Sequence, residues 1–251
     1  MDETMEIGDY LARGGVMTSP ENVPPRYRGE LMRLMASFVD SELAGSAGFA
    51  DVINDAPGIK SRIAAARIVL EKADHAERVL RIMGHFGADM GRYAAHQPWA
   101  RRVDRDADIG AVRHGGDMRL SVFHYPLEGW TDAVVMNVLM GLATVVQLDE
   151  MVHVSYAPLA QAFRDIAPRE KRHAELGLEG LTEIVRGPEG RKAARASVAY
   201  WRPRVAEAFG PEGSEQFERL RRYGIRRRPN EDLKAEWSAD IDARLAALDL
   251  T

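Results

Sequence analysis

Glu170-Lys171-Arg172-His173 lies inside a helix-compatible run over residues 158–185, and Glu71-Lys72-Ala73-Asp74-His75 lies inside another over 59–86. Residues three apart on a helix share a face. Glu170 with His173, and Lys72 with His75, can therefore each aim two polar side chains at one point. Two such pairs on two long helices predict a helical bundle with a polar site between its helices. The earlier pair carries a lysine where the later one carries a glutamate, and the chemistry of the site turns on that difference.

Outward from these pairs, apolar spacing predicts the other helices. Leu31, Leu34, Met35, Phe38 and Leu43 recur at helical intervals over 26–44, with Glu42 near the end. Over 59–86 the expected buried stripe is Ile63, Ala66, Val69, Leu70, Ala73, Leu80 and Met83. A third helix over 130–153 is apolar nearly all round from Val134 to Val146, which marks it as central. Pro158 opens a fourth, and Pro168 inside it is expected to kink the helix or shift its start. Further helices are expected over 191–209, 214–223 and 231–248, the last with Asn230 as N-cap. Gly115-Gly116 reads as a break, and Phe123-His124-Tyr125-Pro126 as extended chain. No segment alternates with a two-residue period, so strands are scarce. The expected fold is all-α: a four-helix bundle with additional C-terminal helices over 23–251, preceded by a flexible leader over 1–22.

The chain has 251 residues and a net charge of −4, a balance that argues against nucleic-acid binding. Arg226-Arg227-Arg228 reads as a solvated loop face. With no cysteine, disulfides, thiolate ligands and a cysteine nucleophile are excluded. The acidic start (Asp2, Glu3, Glu6) has no apolar signal region, and the apolar stretch 133–146 is too short to span a bilayer. A cytoplasmic location without membrane association is the expectation.

Five segments occur in order: Ser41-Glu42-Leu43-Ala44-Gly45; the helix carrying His75; Phe123-His124-Tyr125-Pro126 with Trp130-Thr131-Asp132; Ser155-Tyr156-Ala157-Pro158; and Glu170-x-x-His173. Together they resemble the phenylacetic acid catabolic family, and most of all the catalytic subunits of its ring-1,2-phenylacetyl-CoA epoxidase. The resemblance covers roughly residues 23–248. It implies a ferritin-like bundle in which a di-iron centre activates O2 against the aromatic ring of a CoA thioester. It also implies six iron ligands: a Glu, a Glu-x-x-His, an acidic residue and a second Glu-x-x-His. Carried over one by one, the first falls on Glu42, the next pair on Lys72 and His75, the third-helix acid on Gly141, and the last pair on Glu170 and His173. Two of the six are replaced.

Neighbouring acids do not obviously fill these gaps. Glu71 is turned about 100° from position 72, and Asp149 lies about 12 Å along the helix from Gly141. Two carboxylates and one ammonium sum to −1; one divalent ion brings the set to +1 and two bring it to +3. Buried uncompensated charge is costly, so at most one ion is expected, iron or manganese, held by Glu42, His75, Glu170 and His173, or none. Lys72 is a candidate either for a buried base or for a cation that replaces the metal by pairing with Glu42 and Glu170. Gly141 leaves either a pocket or a close helix contact.

Two functions follow from the resemblance. One is an oxygenase-like enzyme acting on an aromatic acid or its CoA thioester, with Glu42, Lys72 and Glu170 at its centre. The other is a non-catalytic scaffold or assembly protein, since such systems pair a catalytic chain with a related one that lacks a working iron centre. Expected partners are a second copy in a homodimer or a related helical subunit. Arg101, Arg102, Arg202 and Arg204 are the candidates for CoA phosphates. His85, His96, His114, His124 and His153 form no spacing pattern, and Met32, Met35, Met83, Met136, Met140 and Met151 follow the helical stripes as core or pocket lining.

Overall fold

A computed structural model describes residues 6–96, 99–110, 117–213 and 215–251. His114 and the Gly115-Gly116 break lie outside the described residues. In chain order the helices are α1 (Ile7–Ala12), α2 (Pro25–Val52), α3 (Ile59–His85), α4 (Met90–His96), α5 (Gly129–Met151), α6 (Ala157–Ile184), α7 (Pro188–Ala206), α8 (Glu215–Arg222) and α9 (Asn230–Ala247). Prolines mark several starts: Pro25, Pro158 and Pro188 each sit in a first turn, where the missing N–H leaves no bond unmade.

α2, α3, α5 and α6 form an all-α, ferritin-like bundle. α2 packs along α3, α5 along α6, α3 against α6 and α2 against α5. α5 is also covered by α7 and α9, which explains its lack of a polar face. By length and composition α5 would suffice to cross a bilayer, being longer than the 133–146 stretch suggests, but most of it is buried inside the bundle. Buried donors tie the C-terminal helices to it. The Trp237 indole donates to the Leu139 carbonyl (2.9 Å), and Asp132 accepts from Ser197 and Trp201 of α7 (2.8 Å each).

Several expectations are corrected. α2 runs on to Val52, because Ser41, Ala44, Gly45, Ser46 and Gly48 are small enough to pack closely there. On α3 the buried residues are Ala65, Ile68, Lys72, His75, Ala76, Val79, Leu80, Ile82 and Met83, so Leu80 and Met83 of the expected stripe do face inward. Ile63, Ala66 and Leu70 are exposed: the two polar residues take the inner face, and the apolar row at 63, 66 and 70 is rotated outward. α6 starts at Ala157 and is continuous through Pro168, so the proline does not shift its start. Residues 121–124 form a tight 3-10 turn, and Tyr125 alone, directly before the proline, is extended. Pro229, not Asn230, is the N-cap of α9; Asn230 instead donates to the Pro211 carbonyl and accepts from Arg226. The stretch expected as a flexible leader carries α1, and Met17 is buried against Tyr156, where its carbonyl accepts from the Ala157 N–H at 2.8 Å. Arg226 is tied to Gln147 and Asn230, and Arg228 to Glu236, so this basic run is not a simple solvated face.

Candidate metal centre

Helical spacing brings all the predicted polar residues together. Glu42 projects from α2, Lys72 and His75 from α3, and Glu170 and His173 from α6, and all five are buried. An ammonium has three protons and no acceptor. Three carboxylate oxygens receive Lys72 Nζ: Glu42 Oε1 at 2.9 Å, Glu170 Oε1 at 3.0 Å and Glu170 Oε2 at 3.1 Å. Its donor capacity is therefore filled. His75 Nδ1 bridges Glu42 Oε2 and Glu170 Oε1, at 3.1 Å from each. His173 Nδ1 reaches the same Glu170 oxygen at 3.1 Å, and the two imidazoles stack with centroids 5.8 Å apart.

Glu71 is the residue the sequence reading missed. Its Oε2 lies 2.7 Å from His173 Nε2. The 100° turn that carries it away from Glu42 carries it toward α6, and helical rotation toward the neighbouring helix was the signal that could have found it. Glu71 makes the formal charge of the cluster −2 before any imidazole proton is counted.

The electrostatics favour ions. Burial alone would push the Lys72 amine down, but Glu170 and Glu42 outweigh it and hold the amine above its ordinary value. An amine held protonated does not accept a proton, which runs against the buried-base role. Burial would raise the Glu170 carboxyl; the Lys72 charge and the hydrogen bonds from His173 and His75 bring it well below the usual range. Burial opposes the His75 imidazolium, yet hydrogen bonds to Glu170 and Glu42 raise it.

Two local glycines shape this arrangement. A Cβ at Gly45 would meet Lys72 Cδ and Phe123 Cε1 at 3.3 Å, so the bare backbone gives the lysine stem its passage. A Cβ at Gly141 would lie 3.3 Å from both Cα and Cβ of Ala174. Gly141 is thus a close contact between α5 and α6. Asn137 locks the same contact one turn earlier by donating to the His173 carbonyl at 3.0 Å.

A two-iron centre does not fit these residues. Lys72 Nζ bonds the carboxylate oxygens that would hold the metals, and a side chain at the third-helix position would press on Ala174. For a single ion, Glu42, His75 and Glu170 offer ligand atoms within 4.8 Å of one another, a two-carboxylate, one-histidine donor set suited to iron or manganese. That set is open to metal only if Lys72 withdraws.

A cavity of about 30 Å³ touches Lys72, Gly45, Phe123, Met140 and Gly141. A larger cleft, about 230 Å³, reaches Ser41 and Glu42 past Phe38, Phe123 and Met140, with Glu30, Arg33 and Arg226 among its polar lining. Three of the arginines expected at CoA phosphates are engaged elsewhere. Arg102 donates to the Ala44, Trp99 and Arg101 carbonyls. Arg202 pairs with Asp242. Arg204 stacks on Tyr200 and Tyr125 at 3.7 and 4.7 Å.

A family model described as phenylacetic acid catabolic protein matches residues 5–251. The chain is also 23% identical, over 255 aligned residues, to one of the subunits of the 1,2-phenylacetyl-CoA epoxidase of Escherichia coli (strain K12), covering all of this chain and 77% of that protein. The helical bundle and the inward-facing Glu-x-x-His agree with these matches, and the chain belongs to the phenylacetic acid catabolic protein family.

Proposed function

We propose that this chain is a ferritin-like member of the phenylacetate catabolic family whose di-iron site has lapsed, holding at most one metal ion and serving as a non-catalytic scaffold or assembly protein. The observation that carries this reading is the Lys72 ammonium, with all three protons directed at Glu42 and Glu170. The amine supplies the positive charge that metal would otherwise bring. The close contact of Gly141 with Ala174 supports the same reading. Metal analysis of protein grown with excess iron and manganese tests it: none or one equivalent per chain is expected, and two equivalents would refute it.

A second reading, an oxygenase acting on an aromatic acid or its CoA thioester, draws support from the 230 Å³ cleft that ends at Glu42. Oxygen uptake by the purified chain with phenylacetyl-CoA and a reductant, above the level of a Glu42→Ala control, would favour this reading over the scaffold.

A further inference from the structure

We infer that the cleft lined by α2, α5 and α8 binds a linear carboxylic acid of about eight to ten carbons. Its carboxylate sits on Arg226, and its chain runs inward toward Phe123 and Met140. Such a ligand is expected whether or not the bundle holds a metal ion.

Arg226 is the reason for an anion. Its side chain lines the cleft and donates to Gln147 Oε1 (2.9 Å) and Asn230 Oδ1 (3.0 Å), both neutral acceptors. A guanidinium has five N–H donors, so three find no protein acceptor among the described residues. None of those residues places a carboxylate within ion-pair distance of it. Glu150 favours the cation from further off, but its Oε1 is taken by the Arg227 and Arg228 N–H groups. Burial still holds the guanidinium below its ordinary value. A partly buried cation without a counter-charge is costly, and its planar fork matches the two oxygens of a carboxylate. The other charges of the cleft are met from within. Glu42 receives Lys72, and Glu30 is shared by Arg33, Arg219 and Gln216. Two guanidiniums at the mouth for one carboxylate favour an anion over a cation.

The shape of the cleft sets the rest of the ligand. The Arg33 side chain is 56% exposed and that of Glu42 5%, so the cleft opens at Arg33 and closes at Glu42. Between them the lining is largely apolar: Leu34 and Phe38 of α2, Met140 and Leu148 of α5, then Leu220 and Ile225. It follows α2 from Glu30 to Glu42, about 18 Å. A volume of about 230 Å³ drawn out over that length is a narrow trough. Gln147, which holds Arg226, stands about 10 Å along α5 from Met140. With C–C bonds of about 1.5 Å, a methylene adds about 1.25 Å, and that depth takes about eight of them. A flexible chain fills such a trough, and the methionine side chains adapt to it.

Titration calorimetry of the full chain with butanoate, hexanoate, octanoate, decanoate, dodecanoate, phenylacetate and decanol tests the inference. Affinity should rise by up to about fourfold per methylene and level off beyond decanoate. Decanoate should bind at least tenfold tighter than decanol or phenylacetate. Arg226→Gln should abolish the preference for decanoate over decanol. Thr144→Phe, at the inner end of the trough, should weaken decanoate at least tenfold. Should a variant fail to fold, the wild-type comparison of decanoate with decanol and the chain-length series decide. Equal binding of decanol, indifference to chain length or no binding of any acid would overturn the inference. Phenylacetate binding as tightly as decanoate would overturn the linear chain in favour of an aromatic acid. None of these outcomes depends on the metal count, so failure here is distinct from failure of the scaffold reading.

Discussion

Lys72 and Glu170 meet across two oxygens, with Nζ 3.0 Å from Oε1 and 3.1 Å from Oε2, and both side chains are sealed from water. On the reading proposed above, the lysine acts as a structural counter-charge. Lys72→Met would leave Glu42 and Glu170 facing each other without it. Breaking one side of a buried ion pair typically costs about 3–5 kcal/mol. Urea unfolding should show a loss in that range, and titration calorimetry should show manganese binding at least tenfold tighter than in wild type. An unchanged unfolding midpoint would mean that the ammonium does not compensate those carboxylates.

Restoring the two missing acids should not restore two metals. A Cβ at position 141 would stand 3.3 Å from the Ala174 backbone, so the α5–α6 contact must give by a few tenths of an ångström before an aspartate fits. Overpacking of this kind costs about 1–3 kcal/mol. Lys72→Glu with Gly141→Asp is therefore expected to be less stable than Lys72→Glu alone and to hold at most one ion by elemental analysis. Two ions would show that the helices yield at that contact.

Glu71 and His173 should be energetically coupled. Their 2.7 Å contact spans α3 and α6, and the Glu71 side chain is 25% exposed. Partial exposure limits the effect, so Glu71→Gln is expected to cost about 1 kcal/mol, the net scale of one hydrogen bond. A double-mutant cycle with His173→Gln gives the coupling directly. Additive losses would show that the two residues do not act together.

Asp132 sets an acid limit on stability. Burial would raise its carboxyl, but Arg105, the Glu128 N–H, Ser197 and Trp201 outweigh that and hold it below its ordinary value of 3.8. A depressed folded value means the stabilisation is complete above the unfolded value and disappears as pH falls through the folded one. The stability gap between wild type and Asp132→Asn should therefore be constant near neutrality and shrink below about pH 4. A gap that stays level to lower pH would assign the loss to packing rather than to charge.

Legibility in the sequence differed from residue to residue. The long helices could be read, because periodic apolar residues and Pro or Gly punctuation act locally. His75, Glu170 and His173 could be read too, because spacing along two helices fixes which side chains share a face; Glu42, on a third helix, came from the family resemblance. The outer face of α3 could not. Ile63 and Leu70 fit a helical stripe as well as Ile68 and Val79 do, and only the inward turn of Lys72 and His75 decides between the two rows. Glu71 was hidden for a related reason: its partner belongs to α6, and helix-to-helix placement is not written in local spacing. Gly141 left open whether it makes a pocket or a contact, and the structure shows both: it meets Ala174 on one side and borders the small cavity beside Lys72 on the other.

The passage beside Gly45 that admits the Lys72 stem has a consequence for biosynthesis. On the scaffold reading, a bundle whose central cation is a side chain would be complete once translated. Its assembly would not wait on iron delivery, and a chelator would leave it folded. The counter-ion is inherited with the polypeptide rather than acquired from the cell.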